Sequence, residues 1–285
     1  MTSFSNFEKS KKNKYSSSKK PTSSPKKKWD RKSSYDNSSS NFENRSKKYS
    51  DRRSFDKPKY ERETKNYPGV IIDSKKRKKI FSINLVPGKK VYGEALSKKR
   101  DMELREWEPK RSKLGAAIVK NIKEIGFMEA DKILYLGAAS GTTVSHCSDI
   151  VGKNGFVFAL DFAPRVVRDL VYLCEDRKNI APMMFDANKP DEYAHLVLPE
   201  VDFVFMDIAQ KNQTEIFIKN VKRFLKKNGL AMLALKARSV DVTKKPHEIF
   251  KTVKKELEKE FQIVDEKVLD PFEKDHTMFL VRKLN

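Results

Sequence analysis

Along the first stretch of the chain the apolar positions are single aromatic rings, among them Tyr15, Trp29, Tyr35, Phe42, Tyr49, Phe55 and Tyr60, set among lysine and serine. No Ala, Val, Leu or Ile occurs before Val70. Such a stretch cannot offset the entropy of ordering its backbone, which predicts a disordered arm over 1–68. From Val70 the pattern changes. Short β-branched and aromatic runs at 69–73, 80–86, 91–94 and 102–107, broken by turn signals such as Pro87-Gly88, predict a small β domain over 69–108. Leu114, Ile118, Ile122 and Ile125 recur at helical spacing and predict a helix over 111–125. Apolar runs at 132–136, 155–160, 180–185, 201–206 and 230–235 then alternate with helical patterns at 143–151, 165–176, 213–226 and 247–260. That alternation predicts a parallel sheet covered by helices on both faces, in a domain over 109–285. The last two runs, 262–269 and 277–283, have no helix between them and predict an antiparallel hairpin.

A parallel sheet closed by an antiparallel hairpin is the arrangement of Rossmann-like methyltransferases that use S-adenosylmethionine (SAM). Dinucleotide dehydrogenases usually continue with parallel crossovers. The expected fold is therefore α/β: a Rossmann-like class I SAM-dependent methyltransferase domain, a small N-terminal β domain before it, and a disordered basic tail.

Charge adds a partner class. The chain carries a net +22, and residues 1–66 hold 20 Lys and Arg against 8 Asp and Glu. A basic arm on a still-basic body is the footprint of a polyanion partner, most often nucleic acid. The arm's cations can neutralise phosphates, and its rings can stack on unpaired bases. No run of about 18 apolar residues is present, and no apolar signal segment opens the chain, so an intracellular protein with no membrane partner is expected. Two cysteines, Cys147 and Cys174, are too few for a disulfide framework or a zinc site and read as reduced thiols.

Candidate chemistry gathers at the predicted strand ends. The 132–136 strand runs into Gly137-Ala138-Ala139-Ser140-Gly141-Thr142-Thr143, small residues that let the backbone approach a ligand at a helix N-terminus. Asp161 ends the next strand, 24 residues past Gly137, where a carboxylate can accept both ribose hydroxyls of a nucleoside. Asp186-Ala187 ends the third, placed to accept from an adenine amino group, and Asp207-Ile208-Ala209-Gln210 ends the fourth. Lys236 ends the fifth and faces the same crevice. His146, His195 and His247 read as structural, and Met183-Met184 as core.

Leu85-Val86-Pro87-Gly88, Tyr92-Gly93-Glu94, Arg111-Ser112-Lys113-Leu114, the segment from Tyr135 to His146, Asp207-Ile208-Ala209-Gln210 and Lys274-Asp275-His276 together resemble the fibrillarin family. The run Lys236-Ala237-Arg238-Ser239-Val240-Asp241-Val242-Thr243 is similar to its archaeal members. The resemblance covers about residues 69–285. It implies a SAM-dependent enzyme that methylates RNA ribose 2′-hydroxyls inside a box C/D ribonucleoprotein. The implied partners are a box C/D guide RNA, a Nop-type scaffold protein, a kink-turn-binding ribosomal-protein-like subunit, and rRNA or tRNA as substrate. The implied compartment is the cytoplasm of an archaeal-type cell, or the nucleolus of a eukaryotic one. By motif match, Gly137, Ala138, Thr142, Thr143, Asp161, Phe162, Asp186, Ala187, Asp207, Ile208, Ala209 and Gln210 would bind SAM. The catalytic set of related enzymes falls on Lys113, Asp207, Lys236 and His276, and no metal is implied. Asp161 stands where Glu is common and Asn188 where Arg is frequent. The residues leave two other functions open: a catalytically silent RNA-binding assembly subunit, and a methyltransferase acting on a base or a protein side chain.

Overall fold

The computed structural model describes residues 67–73, 78–198 and 200–284, all within one compact unit. Of the arm expected over 1–68, residues 1–66 lie outside them, while Tyr67 and Pro68 are described and lead by a turn into the first strand. Four short strands come first: β1 (Val70–Asp73), β2 (Lys79–Ile83), β3 (Leu96–Lys99) and β4 (Met102–Trp107). They form an antiparallel sheet in the order β1-β2-β4-β3. The strand expected over 91–94 is a turn instead. The Glu94 carboxylate accepts the Val91 and Tyr92 N–H groups at 3.1 and 2.9 Å, spending on a side chain the donors a strand would give its neighbour. Pairing with β4 begins two residues later, at Leu96.

Helix α1 (Lys113–Val119) follows a 3-10 turn at Pro109–Arg111 and is capped by Ser112, whose Oγ accepts the Gly115 N–H at 3.1 Å. The helix stops well before Ile125 because Asn121 adopts a left-handed conformation at φ 59°. Ile122 and Ile125 are nonetheless fully buried. Their spacing reported the buried face correctly and the helix length wrongly.

The rest alternates: β5 (Lys132–Leu136), α2 (Thr142–Val151), β6 (Phe156–Asp161), α3 (Pro164–Asp176), β7 (Ile180–Met184), α4 (Pro190–Tyr193), β8 (Val201–Met206), α5 (Gln213–Phe224), β9 (Leu225–Lys236), α6 (Ala237–Val240), α7 (Pro246–Leu257), β10 (Gln262–Val268) and β11 (His276–Arg282). The sheet order is β10-β11-β9-β8-β5-β6-β7. Its middle is parallel, and β11 and β10 close it antiparallel, as the hairpin reading required.

Strand alternation divides the core between two faces. Tyr135, Phe205, Ala234 and Met278 pack with Leu114 of α1, Val144 of α2 and Trp107 of the small sheet. Leu136, Met206, Leu235 and Phe279 pack with Phe217 of α5 and Phe250 of α7. Asp207, Lys236 and His276 each lie two positions from Phe205, Ala234 and Met278. The period of two therefore puts all three on the α1 face, at one edge of the sheet.

A buried polar network fixes α2 against the small sheet. Asp149 accepts from Ser82 Oγ (2.7 Å), Arg105 Nη1 (2.7 Å), Arg177 Nη1 (2.6 Å) and the Leu85 N–H (2.9 Å), filling the four lone-pair positions of a carboxylate. Arg105 also donates through Nε to Glu94 at 2.7 Å. Burial alone would raise the Glu94 carboxyl, but the Tyr92 N–H and the Arg105 guanidinium outweigh it and hold its pKa below the usual range. His146 stacks on Trp107 with ring centroids 4.5 Å apart. Its Nδ1 and Nε2 lie 2.7 Å from Ser82 Oγ and Tyr92 Oη. Ser82 donates its one proton to Asp149, so it accepts from Nδ1–H, which leaves the ring's lone pair on Nε2, facing a Tyr92 hydroxyl that also lies 3.0 Å from the Glu106 carbonyl. The ring is thus neutral, and burial, with Arg105 and Arg177 nearby, holds its pKa well below normal.

Candidate active site

Gly137 follows β5 at φ 86°, and a Cβ there would collide with the Asp207 carbonyl oxygen. Only glycine lets the ends of β5 and β8 approach this closely. Gly141, at φ 94°, forms the N-cap of α2 and sits against Leu173 and Leu170; a side chain there would be strained in this left-handed conformation and would push Leu173 aside. Between the two glycines, the Ala139 N–H donates to Asp161 Oδ2 at 2.9 Å. The other oxygen, Oδ1, accepts from the Ala163 N–H at 3.1 Å. These amides orient the carboxylate and leave each oxygen one further acceptor position.

An open cleft of about 230 Å³ lies beside this turn, lined by Gly137, Leu160, Asp161, Phe162, Phe185, Asp186, Ala187, Asp207, Ile208, Ala209 and Gln210. The strand-end acids expected to share a crevice do share it. Phe162 is 63% exposed at the cleft, so its ring face is available for stacking. Asp186 Oδ1 accepts the Asn188 N–H at 2.9 Å, which turns the chain after β7. Ala138, Thr142 and Thr143 are not part of the lining. Thr143 is buried and its hydroxyl donates to Ser112 Oγ at 3.0 Å, joining α2 to the cap of α1.

The second group stands beside the cleft. Lys113 Nζ lies 3.0 Å from each Asp207 oxygen, with both side chains about four-fifths buried. Lys236 and His276 are paired across β9 and β11. The Ala237 N–H donates to the Asp275 carbonyl at 3.0 Å, so Lys236–His276 is the closer, non-hydrogen-bonded kind of antiparallel pair. Their side chains are direct neighbours on one face. His276 Nδ1 is 2.7 Å from the Lys274 carbonyl, to which it must donate, so the lone pair is on Nε2. None of the described residues hydrogen-bonds Nε2. Burial pushes the His276 pKa below its ordinary value, and Lys113 pushes it further down. The ring is neutral near pH 7.

The Fibrillarin family model matches residues 61–284. The chain belongs to the fibrillarin family. The fibrillarin-like rRNA/tRNA 2′-O-methyltransferase of Pyrococcus abyssi is 50% identical over 219 residues, covering 76% of this chain and 96% of the relative. Among solved structures, Aeropyrum pernix fibrillarin with natively bound SAM is 43% identical, with a TM-score of 0.70 over 76% of this chain and 96% of that one. A fibrillarin solved in complex with Nop5p is 38% identical, with a TM-score of 0.70 over 76% of this chain and 99% of that one. The fold is that of SAM-dependent methyltransferases, as these fibrillarin structures show.

Sequence reasoning missed Leu160 and Phe185 in the cleft wall, and it missed Gln213. Strand-end apolar residues carry no mark that separates lining from core. Gln213 is fully buried at the start of α5. A polar residue at a helix start ordinarily reads as solvated, so no local signal identified it.

Proposed function

We propose that the protein is a SAM-dependent ribose 2′-O-methyltransferase of RNA, the catalytic subunit of a box C/D guide ribonucleoprotein that modifies pre-rRNA and tRNA. One observation carries this reading: an acid-lined cleft and the Lys113–Asp207, Lys236 and His276 group meet at one edge of one sheet. The half-identical Pyrococcus relative supports the reaction, and the Nop5p complex supports a Nop-type scaffold as partner. A kink-turn-binding subunit and a guide RNA complete the proposed particle. The basic arm adds sequence-blind contact to RNA.

The residues present fit SAM. Asp161 has a free acceptor position on each oxygen for the two ribose hydroxyls, and Asp186 can accept from the adenine amino group. Phe162, Phe185 and Ile208 offer apolar surface to the adenine, and Gly137 presents bare backbone to the cleft. When bound, the cofactor supplies a methyl group activated by a sulfonium charge.

The remaining task is the acceptor, because a ribose 2′-hydroxyl is a poor nucleophile near neutral pH. Lys236 presents a cation that favours the developing alkoxide. Its neighbour His276, neutral and with Nε2 unengaged, takes the hydroxyl proton. Asp207, held by Lys113, sets the anionic side of the site and orients the lysine edge. Orientation of oxygen and methyl in line is the main saving.

The experiment reconstitutes the protein with a box C/D guide RNA, a Nop-type scaffold, a kink-turn-binding subunit and SAM, then maps methylated nucleotides. The expected product is one 2′-O-methyl group at the nucleotide the guide selects. RNA binding without product would make the chain a silent assembly subunit, and methylated protein would change the acceptor.

A further inference from the structure

Gln213 is fully buried, and its amide is engaged by main-chain groups alone. Oε1 accepts the Lys236 N–H at 3.2 Å, while Nε2 donates to the Lys236 carbonyl at 3.2 Å and to the Gln210 carbonyl at 3.0 Å. Only this orientation of the amide pairs all three groups, since Nε2 carries both donors.

The sheet explains why the partner is needed. β8 ends at Met206, opposite Leu233, so at Lys236 the β8 side of β9 has no strand left. On the other side Lys236 meets His276 as a non-hydrogen-bonded pair, which leaves its own N–H and C=O pointing away from β11. A primary amide offers the same acceptor and donor as a peptide group. Gln213 therefore stands in for the missing strand and reaches Lys236 from the opposite, α5-covered face.

We propose that Gln213 is a positioning residue for the reaction: by clamping both main-chain groups of Lys236 and the carbonyl of Gln210, it fixes the root of the lysine relative to the wall of the cofactor cleft. It does not line the cleft itself and acts through Lys236. The inference rests on the reading of Lys236 as the residue that meets the acceptor. A lysine has a long flexible stem, so the position of its root decides which points its amine can reach. Gln210 lines the cleft, and the same side chain holds it. One buried amide thus ties the cofactor wall to the catalytic edge.

Gln213→Leu and Gln213→Glu test this in the reconstituted particle, beside wild type. Three quantities are read: the single-turnover methyl-transfer rate, SAM affinity by calorimetry of the free protein, and hydrogen exchange of the Lys236 amide. Gln213→Leu should slow transfer by about tenfold to a hundredfold, the scale of an ångström-sized misplacement. SAM affinity should stay within about twofold, and the Lys236 amide should exchange faster. Gln213→Glu has nearly the same shape. Ionised, it accepts from Lys236 N–H but lacks donors; protonated, it regains one. Its rate relative to wild type should rise from about pH 8 to about pH 6, while the Gln213→Leu ratio stays flat.

A wild-type rate in Gln213→Leu, unchanged Lys236 exchange, or SAM affinity falling in proportion to rate would each overturn the proposal. If wild type itself methylated no ribose, the functional reading would fail, and Lys236 exchange would still decide whether the clamp exists.

Discussion

Lys113 Nζ, on the first residue of α1, lies 3.0 Å from both carboxylate oxygens of Asp207, 94 positions later in the chain. The pair joins the helix that covers one face of the sheet to the strand end beside the cleft, and it stands in the electrostatic reach of His276. Burial is the largest influence holding the His276 pKa down and Lys113 adds to it, while the hydrogen bond to the Lys274 carbonyl, and then Glu273 and Asp207, oppose it. Lys113→Met removes the cation and leaves Asp207 unneutralised, so both changes favour the imidazolium. The His276 titration followed by ring NMR should move to higher pH, and the acid limb of the rate profile should follow. An unmoved titration would uncouple the ion pair from the histidine.

Asp161 is the carboxylate assigned to the cofactor's ribose, with one acceptor position left on each oxygen. Asp161→Ala removes charge-assisted hydrogen bonds and should weaken SAM binding by about tenfold to a hundredfold. Calorimetry measures this directly. Affinity equal to wild type would place the ribose elsewhere.

Asp149 holds two buried guanidinium groups, Arg105 from the small sheet and Arg177 after α3. Asp149→Asn leaves them without their shared anion and should cost about 3–5 kcal/mol in urea unfolding. Because Val70, Ile80 and Trp107 share a core with the large sheet, wild type should unfold with far- and near-UV signals superimposed. A separate early transition of the small sheet would contradict this coupling.

His146 gives stability a pH dependence of known sign. Its folded pKa lies well below the ordinary 6.5, chiefly because it is buried, so below that pH the unfolded chain binds a proton that the folded chain refuses. Its contribution is full above about pH 6.5 and declines as pH falls, with a limiting slope of about 1.4 kcal/mol per pH unit. His276 adds a smaller decline of the same sign. His146→Phe should flatten urea midpoints measured from about pH 7 down to about pH 5, while lowering stability at pH 7 through the lost Ser82 and Tyr92 partners. An equally steep decline in the variant would assign the pH dependence to other groups.

Much of this arrangement was legible in the sequence because its signals are local. Buried parallel strands read as apolar runs, the turn at Gly137 is spelled out in small residues, and acids directly after such runs fall at one sheet edge. The closing hairpin was visible because nothing helical separates its strands. What escaped depends on distant partners. Val91 and Tyr92 have strand-forming side chains, yet Glu94, itself held by Arg105, takes their N–H groups and makes a turn. The helix beginning at Lys113 ends at Val119 although Ile122 and Ile125 keep its spacing, because those residues stay on the buried face after the backbone has left the helix. Lys113 was linked to Asp207 by family resemblance alone, since no local pattern announces a contact across 94 positions. Gln213 lacked even that.

Assignment of the ribose hydroxyl as acceptor, with Lys236 beside it, meets its most direct test in single-turnover methyl transfer to two guide-paired RNAs that differ only at the target 2′ position. The RNA with a 2′-hydroxyl should be methylated by wild type, and about 100-fold or more slower by Lys236→Ala with SAM affinity retained. The 2′-deoxy RNA should receive no methyl group from either protein. Methylation of the deoxy target, or wild-type turnover by Lys236→Ala, would contradict the assignment.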